Sequence, residues 1–230
     1  MSVARPTSAP QMAIRTAVIL FAFVVIFTGV LAGAYTWTRP ALLATAAQEK
    51  LKLVNEVLPS ARYDNDLLTD TLQIPAAAEL GTDESTVVYR ARRGGEPAAV
   101  VLEAIAPDGY SGKIRLIVAV LADGTLGGVR VVAHRETPGL GDYIEPKKDK
   151  NKARPWITQF NGLGLTAVPD REWKVKKDGG RFDANAGATV TPRAVVKAVH
   201  KALKYVADHR DQLYQAAESR RAQPENRETR

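Results

Sequence analysis

Two short segments of the sequence combine residue types that could hold a cofactor. In the first, residues 134–141 (HRETPGLG), the run Thr-Pro-Gly-Leu-Gly predicts a tight loop directly after a strand. Glycines in such a loop let the backbone approach a ligand closely, so that main-chain N–H groups can bind it. An ordinary strand-to-loop turn has the same composition, and composition alone leaves both interpretations open.

The second segment, residues 183–192 (DANAGATVTP), leads into a predicted helix. Its small side chains leave room for a bulky group at the hydroxyl of Thr189. A helix N-terminus carries partial positive charge and free N–H groups, which suit a phosphate. An ordinary helix start would show the same pattern, with Thr191 as the N-cap and Pro192 in the first turn.

Several classes of site are excluded by residue types that are missing. The chain has no cysteine, which excludes disulfides, thiolate metal sites and cysteine-ligated iron–sulfur clusters. Its three histidines do not form an HExxH pattern, and we expect no metal site. The glycines of the first segment do not continue into G-x-G-x-x-G, which argues against a dinucleotide-binding fold. No nucleophile or general acid–base set is visible.

The positive charge of the chain is concentrated in two places. The formal net charge is +7, and one excess lies before residue 41. The other lies in residues 145–154, where the cations outnumber the two acidic residues, Glu145 and Asp149. The five cations are Lys147, Lys148, Lys150, Lys152 and Arg154. Nucleic-acid binders more often show a basic face with interleaved aromatic residues, so we expect no nucleic-acid partner.

An uncharged run between Arg15 and Arg39 predicts a membrane helix. The run contains 23 residues, which span about 34 Å as a helix at ~1.5 Å per residue. A cleaved signal peptide is the alternative, but its apolar region is usually only ~7–15 residues long. We therefore expect a tail at 1–15 and an uncleaved transmembrane helix at 16–37. Positive charges flank the run on both sides and do not decide its orientation.

The rest of the chain predicts an α+β domain with an antiparallel sheet and flanking helices. We expect a helical membrane-proximal segment at 41–80 and a disordered tail at 218–230. Asp123-Gly124 lies between two apolar runs and is a strong hairpin signal, and Gly94-Gly95 suggests a second hairpin. Apolar residues at helical spacing after Thr191 predict an amphipathic helix.

The second segment resembles the flavinylation signal of FMN-binding domains, D-x-x-(S/T)-G-A-T. Asp183, Gly187, Ala188 and Thr189 occupy the matching positions, whereas Ala186 departs from the usual Ser or Thr. The resemblance implies FMN joined through its phosphate to Thr189 by a flavin transferase. The ETPGLG run resembles the second flavin-contacting loop of that family, which makes Glu136, Thr137 and Leu140 candidate FMN neighbours.

Further motifs resemble the G subunit of the Rnf electron-transport complex over about residues 12–215. They are residues 106–112 (APDGYSG), 134–142, 155–160 (PWITQF) and 175–180 (VKKDGG). The sodium-pumping NADH:quinone reductase C-type subunit is a related alternative, although its pattern usually has Ser-Gly-Ala-Thr and no Pro after the second threonine.

This resemblance implies a membrane-anchored electron carrier rather than a stand-alone enzyme. The implied FMN-binding domain covers 81–217 and lies on the periplasmic side of the inner membrane. Other membrane subunits of the Rnf complex, which couples ferredoxin and NAD chemistry to ion translocation, are the implied partners. A non-redox extracytoplasmic binding domain and a free-standing flavin reductase remain competing hypotheses.

Overall fold

The computed structural model describes residues 9–214, without the side chains of residues 9, 11 and 40–47. The predicted disordered tail 218–230 lies outside the described residues, and so do residues 1–8 of the predicted tail 1–15. The chain divides into two units, one ending at Glu49 and one beginning at Lys50.

The first unit consists of the N-terminal part of a long helix, α1 (Ala9–Val57). Within it, Met12–Arg39 reaches a mean hydropathy of 2.6, and none of this stretch is buried. By length and composition this helix can cross a membrane, and it is the single such helix in the part of the chain that the structure describes. The predicted anchor at 16–37 lies inside it.

The second unit is built on a five-stranded antiparallel sheet in which every strand pairs with its neighbour in sequence. The strands are β1 (Thr71–Ile74), β2 (Thr86–Arg93), β3 (Glu96–Gly109), β4 (Gly112–Leu121) and β5 (Leu126–Ala133). The expected α+β fold with an antiparallel sheet is confirmed.

Both predicted hairpins are present in the sheet. Gly94 and Gly95, at φ +60° and +85°, turn β2 into β3. Gly124, at φ +84°, follows Asp123 in the turn between β4 and β5. The Asp123 carboxylate accepts a hydrogen bond of 2.9 Å from the Thr125 backbone N–H, which closes this turn as Asx residues often do.

The central strands are covered on both faces, so their apolar runs are nearly continuous. On one face they join the larger core, which includes the C-terminal helix α2 (Val190–Asp208) and the short α3 (Arg210–Tyr214). On the other face alternate residues pack against the last turn of α1; they are Ala99, Val101, Ile117 and Ala119, in contact with the cluster of Val54, Val57 and Leu58.

The structure corrects the predicted helical segment at 41–80, because α1 ends at Val57. Pro59 lacks an N–H donor and disfavours helical backbone in the residue before it, which explains this end. A short 3-10 helix follows at Ser60–Arg62, and β1 then pairs with β2. The sheet therefore begins before residue 81. At Gly128 on β5, a Cβ would lie 2.7 Å from the Val57 carbonyl oxygen, so glycine permits this close packing.

Short 3-10 helices and loops between β5 and α2 complete the larger core. They include Asp142–Ile144 and Trp156–Phe160, and the latter packs on β5. Their aromatic side chains form a continuous cluster through Tyr143, Trp156, Phe160, Phe182 and Trp173. This layer carries the loops that lie beside the N-terminus of α2.

Candidate functional site

A cavity of about 250 Å³ brings the two candidate segments together. Residues 136–141 form one wall and residues 187–191 the other, and Tyr110 from the β3–β4 turn completes it. The lining residues are Tyr110, Glu136, Thr137, Leu140, Gly141, Gly187, Ala188, Thr189, Val190 and Thr191. Among the residues expected at a cofactor site, all except Asp183 lie in this lining.

The Glu136 carboxylate connects the three segments that form the cavity. The residue is only 4% exposed, and its Oε1 accepts a hydrogen bond of 3.0 Å from the backbone N–H of Ser111. Its Oε2 accepts a hydrogen bond from the hydroxyl of Thr191, which is also buried. A buried carboxylate requires such partners, because desolvation without them costs several kcal/mol (~2–7 for a polar group and more for a charge).

Glycine is needed where the loop passes over this carboxylate. At Gly141, a Cβ would lie 2.8 Å from Thr191 Oγ1 and 3.0 Å from Glu136 Oε2. The loop is closed by backbone hydrogen bonds from Leu140 and Gly141 to the Thr137 carbonyl, at 3.1 and 3.0 Å. Its tip therefore has a defined shape, with the Leu140 side chain exposed at the cavity rim.

His134 fixes the start of the same loop. Its Nδ1 accepts a hydrogen bond of 2.9 Å from the Glu136 backbone N–H. The ring proton of a neutral imidazole is then on Nε2. Nε2 lies 2.7 Å from Glu145 Oε1 and donates to it. The histidine thus joins the loop to Glu145 and is positioned to orient Glu136 rather than to contact a ligand.

Aromatic residues from the neighbouring layer hold the segment before Thr189. The Tyr143 hydroxyl accepts a hydrogen bond of 3.2 Å from the Asn185 N–H and donates one of 3.5 Å to the Ala188 carbonyl. Burial raises the pKa of Tyr143, so the phenol keeps the proton that it donates. Gly187 adopts φ +84°, a left-handed conformation that favours glycine, and turns the chain towards α2.

Thr189 occupies the N-cap position of α2 and has no capping hydrogen bond from its side chain. Among the described residues, its half-buried hydroxyl has no hydrogen-bond partner, and neither do the backbone N–H groups of Val190 and Thr191. These N–H groups carry the positive end of the helix dipole. The cavity wall therefore offers a free hydroxyl and free donors side by side.

The expectation that Thr191 caps the helix is wrong. Helix α2 begins at Val190, so Thr191 lies within the first turn and its hydroxyl is used by Glu136. Local sequence favoured Thr191 because Pro192 follows it, and proline is common in the first turn. The buried carboxylate, which is distant in sequence, provides the stronger partner.

Asp183 is not brought to the cavity. Its exposed carboxylate forms an ion pair of 2.5 Å with Lys176, and its backbone carbonyl accepts a hydrogen bond of 2.6 Å from Trp156 Nε1. Sequence reasoning instead missed Tyr110 and Val190 as lining residues. Both side chains are exposed at the cavity although they are apolar or aromatic, and exposure is visible only in the folded structure.

The residues of the cavity fit a flavin nucleotide. The free donors at the start of α2 suit a phosphate, and the Thr189 hydroxyl lines the cavity beside them. Exposed apolar side chains at Tyr110, Leu140 and Val190 offer contacts for an aromatic ring system. Ligand sites usually enclose about 300–1,000 Å³, so a nucleotide would fill this smaller cavity and extend over these rim residues.

Comparisons with known proteins agree with this geometry. Residues 109–204 match the family of FMN-binding domains. The chain is 46% identical over 200 residues to the G subunit of the ion-translocating oxidoreductase complex of Pseudomonas aeruginosa, covering 87% of this chain and 91% of that protein. It is 42% identical to the G subunit from Vibrio cholerae over 87% of this chain and 93% of the relative. For the G subunit from Pseudoalteromonas atlantica the identity is 39%, with 93% and 97% covered.

Replacing Thr191 should test the bond to the buried carboxylate. We expect Thr191→Val to lower the free energy of unfolding by about 1–3 kcal/mol, because Glu136 loses a donor while the shape of the side chain is kept. Thr191→Ser retains the hydroxyl and should cost much less. Denaturant unfolding of the detergent-solubilised protein measures both variants, and equal stability of the two would contradict the assigned bond.

Proposed function

The chain belongs to the family of G subunits of Rnf-type ion-translocating oxidoreductase complexes, and from this we propose that it carries electrons through FMN attached covalently to Thr189. The FMN supplies the redox chemistry when it is bound, and the protein positions it and tunes its potential. The observation that carries the attachment site is the hydroxyl of Thr189, which lines the cavity beside backbone N–H groups and, like them, has no hydrogen-bond partner within residues 9–214.

Each wall of the cavity has a distinct role in the proposed binding of FMN. Thr189 holds the phosphate, and the N–H groups at the start of α2 offset its negative charge. Leu140 and Tyr110 contact the ring system at the rim, while Thr137 supports the loop through its carbonyl. Glu136 holds the loop and α2 together through the hydrogen bond that its buried carboxylate accepts from Thr191.

A flavin transferase is the partner that would install the FMN. Such an enzyme needs access to the acceptor segment, and the residues before the acceptor are exposed; they are Asn185, Ala186 and Gly187. Asp183 remains the motif residue farthest from the cavity, where it pairs with Lys176. We therefore assign Asp183 to recognition by the transferase rather than to contact with bound FMN.

We further propose that α1 anchors the protein in the inner membrane, with the N-terminus in the cytoplasm and residues 41–230 in the periplasm. The apolar stretch Met12–Arg39 supports the anchor, and the relatives support a place in an ion-translocating complex. The orientation is what the resemblance to this family implies. Covalent attachment would then prevent loss of FMN in a compartment that no cytosolic pool can resupply. The other membrane subunits of the complex are the proposed partners.

Simple measurements distinguish the competing functions. A non-redox binding domain would lack a flavin absorption spectrum, and a free-standing flavin reductase would oxidise NADH without other subunits. The names of the relatives favour the Rnf-type complex over the sodium-pumping quinone reductase as the assembly to which this chain belongs.

Thr189→Ala should abolish covalent FMN and leave the fold intact, because this hydroxyl makes no hydrogen bond among the described residues. Thr189→Ser keeps an acceptor hydroxyl and should retain some flavin. Co-expression with a flavin transferase, followed by in-gel fluorescence and peptide mass mapping, reads both variants. Flavin on the Thr189→Ala protein, or a modified peptide that places it on Thr191, would refute the assignment.

Leu140→Asp should lower the midpoint potential of the bound flavin without preventing its attachment. A carboxylate at the cavity rim disfavours the more negatively charged reduced cofactor. Redox titration of the visible spectrum measures this shift. Leu140→Asn is the control that changes the polarity of the side chain and leaves it uncharged. If the potential and spectrum of both variants match those of the parent protein, Leu140 does not belong to the site.

Protease added to spheroplasts should digest the folded domain, because the proposed topology exposes it to the periplasm. Immunoblotting of a C-terminal epitope follows the digestion, and a cytoplasmic protein is the control for intact cells. Protection of the domain until the spheroplasts are lysed would reverse the topology.

A further inference from the structure

A strongly basic loop lies next to the candidate flavin site. We define the basic loop as residues 147–154, between the 3-10 helices Asp142–Ile144 and Trp156–Phe160. It carries five cations and one acidic residue, Asp149. All five cationic residues are exposed; they are Lys147, Lys148, Lys150, Lys152 and Arg154.

The acidic residues in and beside the basic loop are fewer than its cations, and both are engaged in contacts of their own. Asp149 is only 8% exposed, and its carboxylate accepts backbone hydrogen bonds of 2.9 Å from Asn151 and 2.5 Å from Trp156. Glu145 is engaged by His134 at 2.7 Å and reaches Lys148 at 3.4 Å. Asp149 thus fixes the backbone of the loop, and the five cations against Glu145 and Asp149 leave residues 145–154 with a formal net charge of +3.

Some surface cations elsewhere in the domain are paired with close carboxylates. Six of them lie 2.5–2.7 Å from a carboxylate oxygen; they are Lys113, Arg115, Lys176, Arg193, Lys197 and Lys204. In the described part of the chain, no carboxylate lies within 4.0 Å of the cationic groups of Lys147, Lys150, Lys152 or Arg154. Clustered charge of one sign raises the local concentration of oppositely charged partners.

The basic loop is firmly connected to the candidate flavin site at both of its ends. Before the loop, Tyr143 hydrogen-bonds the segment next to Thr189 through Asn185 and Ala188. After it, Trp156 donates a hydrogen bond from Nε1 to the Asp183 carbonyl at 2.6 Å. A partner bound to the loop would therefore meet the domain on the side that carries the acceptor segment.

We propose that the basic loop is a docking surface for an acidic face of another protein subunit, which it brings to the FMN side of the domain. The identity of that subunit as an electron-transfer partner rests on the proposed function. Contacts between electron-transfer proteins are commonly small and steered by complementary charge, which suits a compact cluster of lysines.

An acidic protein fits this loop better than an anionic membrane surface does. Peptides that bind at a membrane interface combine cations with Trp, Phe or Leu side chains that enter the lipid. Residues 147–154 contain none of these, and Trp156 beyond them is buried.

Lysine footprinting of the full-length protein tests the proposal. The probe is an amine-reactive reagent, applied to the protein within its membrane complex and to the purified protein in detergent. We expect the complex to protect Lys147, Lys148, Lys150 and Lys152, with protection lost at high salt. Three exposed lysines outside the loop, Lys174, Lys177 and Lys201, serve as internal controls and should label equally in both states.

A variant without the positive charges of the basic loop measures how much this loop contributes to the rate of association. In it, all five cations of the loop are changed to Gln, and the control variant changes five exposed cations elsewhere (Arg62, Arg93, Lys174, Lys177 and Lys201). We expect the loop variant to associate with the remaining subunits at least about tenfold more slowly at low salt, because electrostatic steering is lost. The control variant, with the same net charge, should remain close to the parent protein.

Three results would overturn the proposal. The first is equal association of the parent and the loop variant, and the second is equal lysine labelling in the complex and in detergent. The third is protection in vesicles of phosphatidylcholine and phosphatidylglycerol without other subunits, which would identify lipid as the occupant. Flavin fluorescence is recorded on every sample, so absence of FMN from the parent protein would refute the proposed function separately from docking.

Discussion

The candidate site depends on one buried carboxylate, that of Glu136. Its oxygens accept hydrogen bonds from Ser111 in the β3–β4 turn and from Thr191 in α2, and its own backbone lies in the loop that forms the cavity wall. Loss of one partner would leave a poorly solvated carboxylate oxygen, so each of these hydrogen bonds contributes to holding the three segments together. The carboxylate therefore sets the separation between the loop and the helix that bears Thr189.

The sheet provides a rigid base for this arrangement because both of its faces are covered. The last turn of α1 packs on one face, and α2 with the aromatic layer packs on the other. The site lies in loops above the second face, where backbone and side chains can be exposed without opening the core. Such loops on a rigid scaffold commonly bear function.

Two threonines that are close in sequence have different roles because of helix geometry. Positions two apart in a helix differ by about 200° around its axis, at 3.6 residues per turn. The Thr191 hydroxyl therefore donates to the buried carboxylate, whereas the Thr189 hydroxyl, just before the first turn, has no hydrogen-bond partner among the described residues. The start of α2 thus supplies one structural hydroxyl and one free hydroxyl to the same cavity.

The sequence alone determined the features that depend on local pattern. The uncharged run at 16–38, the Asp123-Gly124 hairpin and the apolar stripe of α2 can be recognised within short windows, because each reflects the geometry of its own segment. The Gly-Ala-Thr motif is recognised by its resemblance to the flavinylation signal of FMN-binding domains. The tertiary structure decided the partner of Thr191, the exposure of Tyr110 at the cavity and the distance of Asp183 from it. It also decided which acidic side chains are buried beside the basic loop. These features join residues that are far apart in the chain, and their contacts follow from strand register and core packing, which no local pattern specifies.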